Sequence, residues 1–537
     1  MKNFQYKKYG DSISIIGYNG TEEIIEIPAE IEGLPVTHIS EDAFQGCKYL
    51  KEIKLPNTIS SIWKCTFMNC INLEKIEIPE NIWSIDDYAF SGCSRLKEIQ
   101  LPKNLKIISY GVFCNCSSLE KVELPELLEE IRDCAFRGCN SLEEIKFSEN
   151  LRVIGEMAFY ECNNLKEVII KSLFGIRESA FGGCSSLKEV KILGCIAFIE
   201  DKAFFGCNTL DSFSILASIQ GIGGGVFTDC TSIKNFNVPG NLFKDNLFIY
   251  EKIGNNEVMI NSFVGKDKVV EIPNYTDNFK ITKIAGNAFF NCSNLIEVHI
   301  PESIKNIGDS VFEDCCNLKD INIPESVFEI GESAFYGCSN LEKIKLPESL
   351  REIRPCTFDS CSKLKKIKIP KGVIKITDGI FEDCDSLVKV ELPEGVAEIG
   401  EQTFGRCSNL TEINFPNSLK KIGEYAFEKC KSLEKIDLPE SLREIGAGAF
   451  SGCVSLKKIK IPEGVTEILD STFSYCTSLT EIVIPKSVTQ VSKYAFWNCN
   501  NLRCIFIDTL KWSTEDIQKI FSMNSEVEIL PLNKCSI

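Results

Sequence analysis

One motif, Phe-x-x-Cys, recurs along the chain at a step of 23 residues, and it restricts the fold more than any other feature. It begins at Phe44/Cys47 and continues at Phe67, Phe90, Phe113, Phe136, Phe159, Phe181, Phe204 and Phe227, with a single 22-residue step after Phe159. After a gap it resumes at Phe289/Cys292 and runs without a slip to Phe496/Cys499. The nineteen copies take up 19 of the 27 cysteines.

The full unit is Ala-Phe-x-x-Cys-x-x-Leu-x-x-Ile-x-Ile-Pro-x-x-Leu-x-x-Ile-Gly, seen cleanly from Ala334 to Phe358. Its apolar positions, here Ala334, Phe335, Cys338, Leu341, Ile344, Leu346, Leu350 and Ile353, cannot close a core within one 23-residue coil. Stacking the coils lines equivalent side chains into ladders, so the pattern predicts a solenoid. Leu341-x-x-Ile344-x-Leu346 alternates with the period of a short strand, and Pro347 ends it by removing a backbone donor. Successive strands then lie parallel along one face.

The repeat resembles the leucine-rich repeats, specifically the BspA-like type, whose hallmark is this Phe-x-x-Cys-x-x-Leu-x-x-Ile-x-Ile-Pro unit. The resemblance covers roughly residues 20–510. It implies a leucine-rich repeat solenoid of horseshoe form, with a parallel β-sheet on the concave face and turns with short helical segments on the convex face. It also implies a non-enzymatic protein–protein interaction or adhesion scaffold that binds a macromolecular partner through the concave surface. Surface attachment, with host extracellular-matrix proteins as partners, is the typical role of the family. An intracellular leucine-rich repeat adaptor or regulator is the alternative. The small residue after the strand varies here among Thr58, Asn81, Asn104, Ser303, Ser349 and Gly395, all able to satisfy a turn. Leu127 breaks that pattern and predicts a looser coil.

The unmarked segment between the two runs aligns with the start of the chain. At an offset of 245, Tyr18–Cys47 matches Phe263–Cys292 at nine positions without a gap, Gly20/Gly265 and Pro28/Pro273 among them. Duplication of a cap plus an array predicts five parts. These are an N-terminal hairpin-like cap (1–40), a first array of nine copies (41–242), a second cap-like segment (243–285), a second array of ten copies (286–510) and a C-terminal cap (511–537). A short helix is expected over Ser513–Phe521. One continuous horseshoe and two arrays with a bend near Pro239–Asn246 both fit. The late coils of the first array lose the proline, with Ser148, Lys171, Leu193 and Leu216 in its place. Ile169, Phe174, Phe198 and Ile215 add hydrophobicity there, through either array-end accommodation or a partner-binding patch.

Chemistry is sparse. Only His38 and His299 are present, which leaves little room for histidine-based catalytic pairs or multi-histidine zinc sites. No catalytic residue, metal site or cofactor is expected. The repeated thiols read as a packing column of small hydrophobes. The off-register Cys65, Cys114, Cys134, Cys195, Cys316, Cys356, Cys504 and Cys535 are the reactive candidates. No run of residues approaches the ~20 apolar positions of a membrane helix, and the first ten residues hold no apolar signal core. The sequence thus implies a cytoplasmic chain, while the resemblance implies the cell surface. Asp and Glu outnumber Lys and Arg by 76 to 59, for a net charge of −17, so no specific nucleic acid is expected as a partner.

Candidate contacts come from the positions flanking the inward strand residue. In the first array one row reads Glu52, Lys75, Glu98, Lys121, Glu144, an alternating ladder that pairs with itself. Two coils break this balance, with Lys365, Lys366 and Lys368 in one and Lys457, Lys458 and Lys460 in the other, four coils on. Lys343, Lys345 and Lys389 flank the first. These nine lysines are the candidate ligand-binding residues of an otherwise acidic protein.

Overall fold

The computed structural model describes residues 3–508, 511–512, 517, 520 and 527–534. Apart from Ile517 and Ile520, the helix expected over Ser513–Phe521 lies outside these residues, as does Cys535. The coils form a parallel-strand β-solenoid. In the coil after Phe381, the first strand is Lys389–Glu391 and the second is Glu398–Ile399. Each pairs in parallel with its counterpart 23 residues on, Lys389 with Glu412 and Glu398 with Lys421. Val390, Leu392, Val396 and Ile399 point inward and are buried, as the period-2 alternation requires.

The third side of the coil is a turn rather than the short helical segment expected there. Gly405 N–H bonds the Gln402 carbonyl three residues back, whereas Gln402, Phe404 and Arg406 donate forward to Glu424, Ala426 and Glu428 of the next coil at 2.7–2.9 Å. N–H groups that a helix would send back along itself are thereby committed to the neighbouring coil. The residues two before and two after the phenylalanine adopt left-handed φ, 51° at Gln402 and 59° at Arg406, which also prevents a helix from propagating. Cys65, Cys134 and Cys356 occupy the first of these left-handed positions in their coils.

Two ladders run through the core. Phenylalanine rings stack coil on coil, as in Phe335–Phe358 at 5.4 Å and 8°, and Phe358–Phe381 at 5.7 Å and 4°. Beside them, in seventeen described coils, the cysteine thiol donates to the phenylalanine carbonyl of the preceding coil at 3.0–3.3 Å. The cysteine is therefore a hydrogen-bond donor as well as a packing residue. Its small size lets it fill the corner while its S–H reaches a carbonyl.

The chain divides into two compact units, Met1–Ile253 with Ile260–Gly265, and Gly254–Met259 with Lys266–Ile537. Each unit contains the same tight hairpin. In the first it joins Glu30–Ile31 to Leu34–Ile39, through Glu32 and Gly33 at φ of 54° and 77°. In the second it joins Tyr275–Thr276 to Phe279–Ile284, through Asp277 and Asn278 at 47° and 69°. Two successive positive φ values match the twist of a two-residue hairpin.

Late coils of the first unit show what the missing proline does. Where Leu193 and Leu216 replace it, their N–H groups donate to Ile170 and Ile192 of the preceding coils. The strands extend accordingly to four residues, as in Glu189–Ile192 and Ser212–Ile215. Ile215 turns into the core, whereas Ile169, Leu193 and Leu216 stay exposed. Leu127, the departure noted in the sequence, is exposed too.

Candidate functional site

In most described coils the first strand buries its central residue and turns its two flanking residues outward, and the coil of Lys343 turns its flanking residues outward in the same way with only a bridge at Lys345. The eighth residue after the phenylalanine leads this outward row. In the first unit the row alternates in charge, and Lys75 bonds Glu52 at 3.3 Å across the strands and Glu77 at 3.2 Å along its own. In the second unit alternation fails over three coils, where Lys343, Lys366 and Lys389 occupy the same row. Lys366 and Lys389 are direct register partners. Like charges facing each other in this way are unfavourable.

The structure relieves most of that repulsion by turning lysines toward carboxylates. Lys343 pairs with Asp320 at 3.1 Å, Lys365 with Glu342 at 3.0 Å, and Lys389 with Glu391 and Glu412 at 3.5 and 3.6 Å. Lys345 and Lys368 leave the strand row and reach Glu325 and Glu348 on the turn after the proline, at 3.0 and 3.2 Å. Those turn carboxylates are held below the usual range, Glu325 chiefly by Lys345, and Glu348 by the Lys371 N–H and then Lys368. Lys366 makes no ion pair among the described residues. It sits between Lys343 and Lys389 as the uncompensated charge of the column.

A groove of about 740 Å³ opens beside this column, lined by Lys368, Lys371, Lys389, Glu391, Glu412 and Asn414. Its floor includes Val390 and Pro393. Lys371 was not singled out by sequence reasoning. The signal was present, because Lys371 follows Pro370 where Glu348, Glu394, Glu440 and Glu463 follow the corresponding prolines.

The other lysine group stands apart, three coils beyond Lys389. Lys457 pairs with Glu434 at 2.6 Å, Lys458 with Glu481 at 2.6 Å and Lys460 with Glu440 at 3.7 Å. Lys435, also passed over in the sequence, bridges in register to Lys458 and pairs with Asp437 at 2.6 Å. The nine candidate lysines therefore form two separate groups, and only the first has an uncompensated cation beside a groove. Apart from Lys458–Glu481, whose carboxylate is largely covered, these ion pairs lie at the surface, where such pairs are weak, so a lysine can exchange its glutamate for a partner's carboxylate.

Remaining chemical groups are spoken for locally. His299 lies 3.2 Å from Glu297 and 3.5 Å from Glu271, and His38 contacts Thr37 and the edge of Trp63. Burial pushes ladder thiols such as Cys93, Cys453 and Cys499 up to about 12, which keeps them unreactive, whereas the partly buried Cys47 at the start of the ladder is lowered by its hydrogen bond with Cys70. Among the off-register cysteines Cys195 is exposed, Cys114, Cys134, Cys316, Cys356 and Cys504 are partly covered, and Cys65 is buried. The described cysteines form no disulfide. Among the described residues no group of three or more His, Cys, Asp or Glu side chains could hold a metal, and no helix is long and apolar enough to cross a membrane.

The family model for the BspA type leucine rich repeat region matches residues 23–143, 129–255, 257–388 and 374–503. Among solved structures, the chain is similar to a leucine-rich repeat protein from Bacteroides ovatus ATCC 8483, with 26% identity, 91% of this chain and 98% of that chain covered, and a TM-score of 0.32. It is also similar to a leucine rich cell surface protein from Faecalibacterium prausnitzii A2-165, with 23% identity, coverage of 79% and 93%, and a TM-score of 0.41. A leucine-rich repeat protein of T. pallidum shares 27% identity over 43% of this chain and 89% of that chain, with a TM-score of 0.30. No curated protein matches the sequence.

Proposed function

Because the chain belongs to the BspA-type leucine-rich repeat family, we propose that it is a non-catalytic interaction scaffold whose protein partner docks an acidic segment on the Lys343–Lys366–Lys389 column. One observation carries the reading: Lys366 is flanked in its row by two further lysines and has no ion pair among the described residues. Strands in a sheet stand ~4.8 Å apart, so three lysines in a row present a linear charge pattern that a stretch of carboxylates can match. On a chain with a net charge of −17, such a patch is a local attractor that orients an acidic partner. The neighbouring groove gives apolar side chains of the same segment a place to rest.

A fluorescently labelled poly-glutamate peptide titrated against the full chain tests this. Lys366→Glu combined with Lys389→Glu should weaken binding about tenfold or more and flatten its salt dependence, with only a small change in melting temperature, because the double change trades a surface run of lysines for a surface run of carboxylates ending at Glu412. Equal binding by the parent and the double variant would overturn the assignment.

The family's typical role places such a scaffold at the cell surface, engaging host extracellular-matrix proteins; the adaptor reading places it inside the cell. Treating intact source cells with a protease that cannot enter them separates the two. Loss of the chain with cytosolic markers spared supports display and adhesion, and full protection supports the adaptor.

A further inference from the structure

The second strand of each coil also has an outward row, and its chemistry differs between the units. In the second unit the row is polar throughout and mostly charged, as at Glu329, Lys375, Glu398, Lys421, Glu444 and Glu467, with ion pairs such as Lys375–Glu398 at 3.2 Å. In the first unit the same row contains Ile107, Val153, Gly175 and Phe198. Val153 and Phe198 both pair in register with Gly175. The opposite side of this sheet already packs the core through Ile108, Ile131, Ile154, Ile176 and Ile199. Its outer face therefore carries apolar side chains that core formation does not require.

The aromatic groups on that face are held in place. Phe198 covers Gly175, where any Cβ would collide with the ring. Phe174, 58% exposed, meets Phe198 edge to face at 5.2 Å, and the Arg177 guanidinium lies 5.1 Å from the Phe198 centroid. Next to Phe174 a groove of about 380 Å³ runs over Ile107 and Val153. Its rim charges are mostly matched: Lys106 pairs with Glu129 at 2.8 Å, and Glu130 with Arg132 at 3.4 Å. Arg152, also on the rim and exposed, has no ion pair among the described residues.

We infer that this face of the first unit is a second docking surface, for an extended peptide segment of another protein that places a large apolar side chain beside a carboxylate. Ile107, Val153 and the Phe174 ring receive the apolar side chain. Arg152 supplies a planar, two-pronged donor for the carboxylate. A sugar is a poor occupant at Phe198, which has one face on Gly175 and a guanidinium over its ring, and at Phe174 the groove rim with Arg152 favours a carboxylate instead. A second copy is also a poor occupant, since chains carrying a net charge of −17 repel one another. The inference stands on residues separate from the lysine column, so either reading can fail alone.

The test is selection of a random-peptide phage library on the immobilised full chain, with Phe174→Ser and Arg152→Glu as companions. Both sites are exposed, and circular dichroism should confirm that each variant keeps its fold. The parent should enrich peptides that pair a large apolar residue with Asp or Glu. Phe174→Ser should weaken them about tenfold or more. Arg152→Glu should shift selection toward Lys or Arg beside the apolar residue. Failure to enrich any peptide that depends on Phe174 would overturn the inference. So would Phe174-dependent binding on a glycan array, or Phe174-dependent self-association in sedimentation velocity, without such peptides.

Discussion

Replacing Phe404 with alanine probes the phenylalanine ladder at mid-array. Phe404 is fully buried and stacks on Phe381 at 5.5 Å and on Phe427 at 5.1 Å. Loss of a buried phenylalanine costs roughly 3–5 kcal/mol, cavity included. The two ring pairs account for about 1–3 kcal/mol of that. Phe404→Leu, which keeps most of the volume, should therefore recover more than half of the loss. Glu401→Ala is the control, because its side chain is exposed and the Glu401 N–H bond to Asp378 survives the change, so it should stay within ~0.5 kcal/mol. Urea unfolding followed by far-ultraviolet circular dichroism gives all three values. A solenoid is held together by nearest-neighbour contacts, so Phe404→Ala should also lower the slope of the transition if the second unit breaks into two blocks. Equal midpoints for Phe404→Ala and Glu401→Ala would refute the coil register and the ladder together.

Two further outcomes follow from the buried groups. Cys453 donates to the Phe427 carbonyl at 3.3 Å, so Cys453→Ser keeps a donor while Cys453→Val keeps apolar volume and loses it. Unfolding free energies from urea titration should rank Ser above Val by ~0.5–1.5 kcal/mol, and the reverse order would reduce the thiol column to packing alone. Asp359 is raised to about 6, first by burial and then by the Glu382 and Asp383 charges. A carboxyl with a raised folded pKa contributes stability that is full below 3.8 and lost as pH rises through about 6. Asp359→Asn should therefore gain stability over the parent between pH 4 and 6.5, and a gain independent of pH would show that the carboxyl is not the cause.

What the sequence reveals here depends on whether a residue's role repeats. Phe335, Cys338, Leu341 and Ile353 recur because each faces the same neighbour one coil away, so the 23-residue step alone places them in the core. The thiol hydrogen bond was hidden because spacing does not show where a sulfur proton points, and packing and donation predict the same column. Short helical segments were expected from the family resemblance, yet the turn N–H groups at Gln402, Phe404 and Arg406 are taken by the next coil. The lysines were legible as a row. Their pairing was not, since Lys345 and Lys368 cross to glutamates on another part of the coil, 20 residues back in sequence. Phe174 and Phe198 stood out as hydrophobic, and only the register with Gly175 shows that they share an outer face.

The two kinds of row answer to different constraints, and this is how one repeat can carry two surfaces. A core residue touches its counterparts in the coils before and after, so a single change disturbs a ladder. An outward residue touches its own row and solvent, and substitutions there usually cost less than ~0.5 kcal/mol. An array of repeats can thus keep Phe204 and Phe427 equivalent inside while its outer rows diverge, to Val153, Gly175 and Phe198 in one unit and Lys375, Glu398 and Lys421 in the other. We propose that recognition is set by which row departs from self-pairing. In the second unit that row is the Lys343–Lys366–Lys389 column, and in the first it is the apolar strip ending at Phe198. In both places the row itself holds or borders a cation, Lys366 or Arg152, that makes no ion pair among the described residues. Both cations are exposed and solvated, so each is free to pair with a carboxylate that a partner brings, and both proposed surfaces therefore suit acidic segments.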